Sequence, residues 1–188
     1  MRKNGYGISV DVPTGWASSI RRRPVDAPMD AMSDAPPGGS PSPDARGVAP
    51  TTPSGPTERT LPVVHVCSRS IPDGVGDFGS GLLEVLGSED VFVALVEYGS
   101  DLAGEGLFAR QGWPRLAPSQ FSPSRLFRAI PGRSASQHFF TAEGRAFCLF
   151  TVIGSHSRRM ATVPRAADVA RSLGAESASA MRRRGVVV

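Results

Sequence analysis

Ten of the 17 prolines of this chain lie between Pro24 and Pro62, and this concentration limits what the chain can fold into more than any other feature. From Val25 to Thr60 the sequence is dominated by Pro, Ala, Gly, Ser, Thr and Asp, with no aromatic residue and no repeating apolar position. Such a composition cannot bury enough surface to offset the entropy of ordering it. We therefore predict a disordered Pro/Ala/Gly/Ser-rich loop over residues 25–60.

The predicted loop is an insertion within one domain, because the 24 residues before it are too few to form a domain of their own. Apolar residues alternate with small or polar ones from Tyr6 to Val12, which is the period of a β-strand. Pro13-Thr14-Gly15 then supplies a turn, and Trp16 to Arg22 returns as a second strand. Residues 1–24 are thus predicted to form an N-terminal β-hairpin that packs on residues 61–174.

Five further strands and one helix are predicted after the loop. The helix runs from Pro164 to Leu173, and Gly79 to Gly87 has room for one or two helical turns. Residues 175–188 are interpreted as a flexible basic tail. The fold class that follows is α+β, with an antiparallel sheet of about six strands flanked by one or two helices. The five strands are predicted at Val63–Ser68, Val91–Tyr98, Arg125–Ile130, Ser136–Ala142 and Arg145–Ile153.

Membrane and disulfide-rich classes do not fit this sequence. Its longest apolar run, Val91 to Val96, is far shorter than the roughly 18 residues that span a bilayer. The basic start is followed by Asp11, Pro13 and Gly15 where a signal peptide would be apolar. The default expectation is a cytoplasmic protein with no membrane association. Its two cysteines, Cys67 and Cys148, are expected to be buried free thiols.

The net charge of +4 is distributed unevenly along the chain. Residues 1–63 carry +1, residues 64–109 carry −7 and residues 110–188 carry +10. Arginines of the C-terminal part could bind nucleic acid, although the acidic part would repel phosphate. Opposite charges that support each other on neighbouring strands explain the same distribution. The charge distribution is consistent with nucleic-acid binding and with charge pairing between strands, and nucleic acid is not the preferred partner.

A literal G-x-G-x-x-G motif occupies Gly74 to Gly79, and Glu97 follows at the end of the next strand. These features make Gly74, Gly76, Gly79 and Glu97 candidates for binding a nucleotide or another small molecule. A dinucleotide site, however, needs its first glycine at the end of the preceding strand. Here residues 68–73 intervene, so the alternative is a glycine-rich surface loop, and no cofactor is predicted.

The other chemistry-bearing residues do not form a recognised catalytic or metal-binding pattern. His65 and Cys67 would share one face of a strand, as a metal-binding or Cys–His pair would, but both positions also suit a buried core. No Cys-x-x-Cys, His-x-x-x-His or Gly-x-Ser-x-Gly spacing is present. We predict no catalytic residue and no metal site, and an enzyme is the less favoured interpretation.

Two segments of the sequence resemble the PsbP-like α/β/α sandwich. They are Gly7 to Trp16, with its Pro-x-Gly-Trp turn, and Arg145 to Val152 before the helix from Pro164. The chain also resembles uncharacterised actinobacterial proteins. The resemblance covers about a quarter of the chain and implies binding and accessory roles rather than a shared active site.

The preferred function is therefore a non-catalytic binding or adaptor protein with a protein partner. Its interaction surface is predicted in the segment between Leu107 and Phe121, where apolar residues beside arginines could leave a patch exposed. The alternative is that these residues cover one face of the sheet. The residues of the predicted surface are Phe108, Arg110, Trp113, Arg115, Leu116 and Phe121.

Overall fold

The computed structural model describes residues 1–25 and 59–185. Most of the loop predicted over residues 25–60 thus lies outside the described residues, as do the last three residues of the predicted tail. At the two ends of that loop, the Val25 amide donates a hydrogen bond to the Arg59 carbonyl at 2.8 Å. Thr60 already belongs to a strand, so residues 25 and 59 continue the pairing of the two strands that flank the loop.

Eight strands and two α-helices are found among the described residues, and all strand pairs are antiparallel. The predicted α+β class is confirmed. Neither helix is long and apolar enough to cross a membrane. In chain order the elements are β1 (Arg2–Gly5), β2 (Ile8–Asp11), β3 (Ala17–Pro24), β4 (Thr60–Cys67), β5 (Val91–Gly99), β6 (Ser134–Ala142), β7 (Arg145–Ile153), α1 (Arg159–Ser172), β8 (Gly174–Ala175) and α2 (Ala178–Arg183).

The strands form a five-stranded sheet in the order β3-β4-β5-β7-β6 and a three-stranded sheet in the order β1-β2-β8. Both faces of the larger sheet are covered. The front face, which includes Val93 and Leu149, packs against β2 and α1. The back face, which includes Phe92 and Phe150, packs against residues 71–86. Strands β5 and β7 therefore have side chains buried on both faces, which explains their nearly continuous apolar sequences.

The predicted N-terminal hairpin is wrong in its pairing. Strand β2 pairs with β1, through a turn at Tyr6 and Gly7, whose φ angles are 51° and 69°. Two successive positive φ values suit the two-residue turn of a tight hairpin. Strand β3 instead crosses to the larger sheet and pairs with β4. The pattern missed β1 because its side chains are exposed or half-buried and carry no apolar alternation.

Two other predicted elements differ from the structure. Arg125 to Ile130 is not a strand, because a 3-10 turn at Pro123–Arg125 leads into it and the segment has no pairing partner among the described strands. Helix α1 begins at Arg159, five residues before the predicted start at Pro164. Pro164 lies on the exposed side of this helix, where water can solvate the carbonyl that has lost its hydrogen bond.

The flexible tail predicted from residue 175 is also wrong as far as the structure describes it. Ala175 pairs with Ile8 in the small sheet, and the α2 residues Ala178 and Met181 are buried. The Ala178 amide donates to the Glu143 carbonyl at 2.9 Å. Gly7 allows this packing, since a Cβ there would lie 2.6 Å from the Met181 sulfur. The small side chain of Ala178 permits the close approach of α2 to the rest of the fold.

Candidate functional site

The apolar residues of the predicted interaction surface are turned inward. Phe108 is 6% exposed, and its ring centroid lies 5.2 Å from Tyr98 and 5.5 Å from Phe139 on the back face. Trp113 is half-buried on the front face, 5.2 Å from Phe140 and 5.8 Å from Phe147. Leu116 and Phe121 pack into the same front-face core, and only Arg110 and Arg115 stay exposed.

The prediction of an exposed apolar patch between Leu107 and Phe121 is therefore wrong. The segment wraps around the free edge of β6, pairing with it at Gln111 and at Ser122. Its aromatic side chains thus cover both faces of the sheet, whereas the alternative interpretation of the sequence placed them on one face.

The structure also separates Glu97 from the glycines of the G-x-G-x-x-G motif. Glu97 lies on the front face with a fully buried side chain. The loop from Gly74 to Gly79 lies against the back face, where the Phe78 ring is 5.6 Å from Phe150. Side chains alternate along a strand, so Glu97 cannot reach a ligand held by that loop. The four candidates do not form one cofactor site.

The buried Glu97 carboxylate is fully engaged by Arg145. The Arg145 Nε donates to Oε1 at 2.9 Å and Nη2 donates to Oε2 at 2.5 Å. The remaining donors of this guanidinium reach the carbonyls of Gly7 at 2.9 Å, Glu176 at 3.1 Å and Tyr6 at 3.4 Å. The pair thereby joins the central strands to the N-terminal hairpin and to the C-terminal segment, which is a structural role.

The motif glycines have conformational reasons of their own. Gly74 and Gly79 have φ angles of 75° and 85°, which side-chain-bearing residues rarely adopt. At Gly79 a Cβ would also lie 2.7 Å from the ring of Phe92. Backbone conformation and packing therefore explain Gly74 and Gly79, and no bound phosphate is needed to explain them.

His65 and Cys67 share the back face, as their spacing predicted, but each has a structural environment. The His65 Nε2 donates to the Asp77 carbonyl at 2.9 Å, and burial lowers the pKa of this imidazole. Burial likewise raises the pKa of the Cys67 thiol. Cys148 is also a buried free thiol, as expected. Within residues 1–25 and 59–185, no group of three or more His, Cys, Asp or Glu side chains could hold a metal ion.

The loop before Phe78 and strand β3 enclose a groove of about 530 Å³ on the back face. Ser19, Arg21 and Arg23 line one wall, because alternate residues of β3 point to this face. Residues 71–77 form the opposite wall, and His65 contributes from β4. Strand β3 carries three consecutive arginines, Arg21-Arg22-Arg23, to which the sequence prediction gave no functional role. Arginines at alternate positions of an edge strand, Arg21 and Arg23, are the signal that could have located this groove.

The polar contacts in the groove centre on Asp77. Its carboxylate lies 2.6 Å from Nη2 of Arg21 and 3.3 Å from Nε of Arg23. Arg21 also donates to the Val75 carbonyl at 3.1 Å, and Arg23 donates to the Glu97 carbonyl at 2.9 Å. Both guanidinium groups are thus held in fixed positions on one face of β3. A second carboxylate, that of Asp73, lies at the exposed side of the groove.

Strand β3 is an edge of the five-stranded sheet, and its outer backbone groups are available from Ile20 onward. The Val25–Arg59 hydrogen bond shows that odd-numbered residues of β3 face β4, so even-numbered ones face outward. Lys3 donates to the outward carbonyl of Ser18 at 3.3 Å. In the part of the chain that the structure describes, the outward N–H and C=O groups of Ile20 and Arg22 have no partner. Pro24 fits this edge because its missing N–H would also face outward.

Comparison with protein-family models, with curated proteins and with solved structures finds no match for the chain. The PsbP-like and actinobacterial resemblances therefore stay predictions. The groove and the adjoining edge of β3 are the arrangement from which we argue a function.

Proposed function

We propose that the protein is a non-catalytic binding protein that captures an extended segment of a partner protein by adding it as a strand along β3. The observation that carries this proposal is the edge from Ile20 to Pro24, whose outward backbone groups have no partner among the described residues. Such an edge is a ready template for another strand. The cytoplasmic location predicted from the sequence belongs to the same proposal.

The side chains beside this edge favour an acidic partner segment. In a strand added next to β3, alternate side chains would point to the back face, toward the groove that Arg21 and Arg23 line. Arg22 points to the other face and is exposed, where it lies 5.4 Å from the Tyr6 ring. Opposite charges on directly neighbouring strands stabilise their pairing. We therefore expect Asp or Glu at alternate positions of the partner segment.

Arginines on an edge strand also prevent unwanted sheet-to-sheet association. The two roles are compatible, since a basic edge that repels a second copy of itself still accepts an acidic strand. Binding to nucleic acid would instead need several arginines to contact phosphates at once. In the groove, Arg21 and Arg23 converge on one carboxylate, that of Asp77, which fits a single acidic side chain better than a run of phosphates.

The proposal is tested by selecting a display library of random 12-residue peptides on the immobilised full-length protein. We expect enrichment of sequences in which Asp or Glu alternates with β-branched residues. Selection on Arg21→Gln should lose that enrichment, whereas selection on Arg171→Gln should retain it. Arg171 is a matched control, because it also pairs with an aspartate, Asp168, but lies on α1.

The backbone part of the proposal has its own control. Methylating single amide nitrogens of an enriched peptide should weaken binding at every second position only, since alternate N–H groups face β3. Failure of the library to enrich any peptide over an uncoated surface would overturn the proposed function. So would an enriched peptide whose affinity is unaffected by methylation at every position.

A further inference from the structure

The two groove arginines already bind a carboxylate, and it belongs to the same chain. Asp77 contacts Nη2 of Arg21 at 2.6 Å and Nε of Arg23 at 3.3 Å. Two guanidinium groups two residues apart on one strand face therefore converge on a single acid. This is the arrangement that an acidic side chain of a bound strand would need at the same place.

The Asp77 side chain is free to leave this position without unfolding the loop that carries it. Its backbone is anchored independently, because the Asp77 carbonyl accepts a hydrogen bond from His65 at 2.9 Å. The next residue is anchored as well, since the Phe78 ring packs 5.0 Å from Phe127 and 5.6 Å from Phe150. Rotation of the Asp77 side chain is then enough to expose the two guanidinium groups.

Partial exposure makes the exchange energetically accessible. The Asp77 side chain is 27% exposed, and those of Arg21 and Arg23 are 36% and 19% exposed. Breaking an ion pair at such a position costs less than breaking a fully buried one. The contrast within this protein is the Arg145–Glu97 pair, in which neither side chain is exposed. An external carboxylate can therefore compete with Asp77, but not with Glu97.

We propose that Arg21 and Arg23 form a carboxylate-binding site that Asp77 occupies in the free protein and that an acidic side chain of the partner segment takes over on binding. This inference rests on the proposed function for the identity of the ligand. The Asp77 carboxylate acts as an internal competitor, so only ligands that supply a carboxylate at the right position displace it. The contact adds selectivity for acidic segments to the sequence-independent pairing of the backbone.

The test uses a capped aspartate, N-acetyl-aspartate N-methylamide, as the ligand of the full-length protein. Its binding is followed through the Nε–H resonances of Arg21 and Arg23 in wild-type protein, Asp77→Asn and Asp73→Asn. Asp73 is a matched control, because it lines the same groove and the same charge is removed. If Asp77 occupies the site about nine-tenths of the time, its removal should strengthen binding about tenfold.

We expect the capped aspartate to bind Asp77→Asn about tenfold more tightly than it binds Asp73→Asn, by the same occupancy argument. The uncharged control ligand, N-acetyl-asparagine N-methylamide, should shift neither the Arg21 nor the Arg23 Nε–H resonance. Equal affinity for the two variants, or an equal response to the capped asparagine, would overturn the inference. This titration is independent of the peptide selection. The capped aspartate can bind the two arginines even if no peptide is enriched, and it can fail to bind them even if a peptide pairs with the edge of β3.

Discussion

Replacing Glu97 by glutamine should lower the free energy of unfolding by about 3–5 kcal/mol. The substitution leaves the Arg145 guanidinium charged and without a counter-ion at a place where neither side chain is exposed. It also replaces one accepting oxygen by an NH₂ group that faces the Arg145 donors. Because small domains are stable by about 5–15 kcal/mol in all, such a loss would be a large part of the total.

The magnitude follows from the number of contacts that depend on the pair. Arg145 makes two hydrogen bonds to Glu97 and three to backbone carbonyls of the N-terminal hairpin and the C-terminal segment. The double variant Arg145→Met with Glu97→Leu removes both charges, which in other proteins is often neutral. Here we expect it to recover only part of the loss, since the carbonyls of Tyr6, Gly7 and Glu176 then lose their donor.

The assay is urea unfolding followed by tryptophan fluorescence, with linear extrapolation to water. Glu89→Gln is the control, because Glu89 pairs with Arg158 on the surface and both side chains are more than half exposed. That substitution should cost about 0–1 kcal/mol. The reasoning is refuted if Glu97→Gln and Glu89→Gln lower the free energy of unfolding equally. It is also refuted if the double variant Arg145→Met with Glu97→Leu is as stable as the wild-type protein.

Three other predictions concern a glycine, a histidine and the thiols. Gly15→Ala should lower the free energy of unfolding by about 1–2 kcal/mol, because Gly15 has a positive φ angle. Gly7→Ala should lower it further, because Gly7 also has a positive φ angle and its Cβ would clash with Met181. Burial lowers the pKa of His65 and of His138 below 6.5, so the unfolded chain binds protons that the native state does not. Stability measured by urea unfolding should therefore fall as the pH drops below about 6.5, and less steeply in His65→Gln; an unchanged slope would contradict this. Cys67 and Cys148 are both buried, and burial raises the pKa of Cys148 to about 12. Iodoacetamide at pH 8 should therefore label neither thiol until the protein is unfolded. Rapid labelling of the native protein would show that the thiols are not buried.

The central strands were predictable from local sequence. Strand β7 has the predicted bounds Arg145–Ile153, and β5 extends the predicted Val91–Tyr98 by one residue. Their side chains are buried on both faces of the sheet, so each strand appears in the sequence as a long apolar run. Strand β1 had no such signal, because its residues alternate between exposed and half-buried and none of them is buried.

The groove could be predicted only in pieces. The glycine loop and the three consecutive arginines were both visible in the sequence, yet Arg21 and Asp77 are 56 residues apart. Nothing in the local pattern shows that they meet, since their contact depends on the long-range pairing of β3 with β4. The position of Glu97 was accessible to strand periodicity, because Glu97 shares a face with Val93 and Leu95 and not with Phe92.

Amide hydrogen exchange of β3 in the presence of an enriched acidic peptide tests the account most directly. In the free protein the outward amides of Ile20 and Arg22 should exchange quickly, whereas those of Arg21 and Arg23 should be slow because they face β4. Addition of the peptide should slow Ile20 and Arg22 and leave Arg21 and Arg23 unchanged. Binding of the peptide with no change at Ile20 and Arg22 would contradict strand addition at this edge.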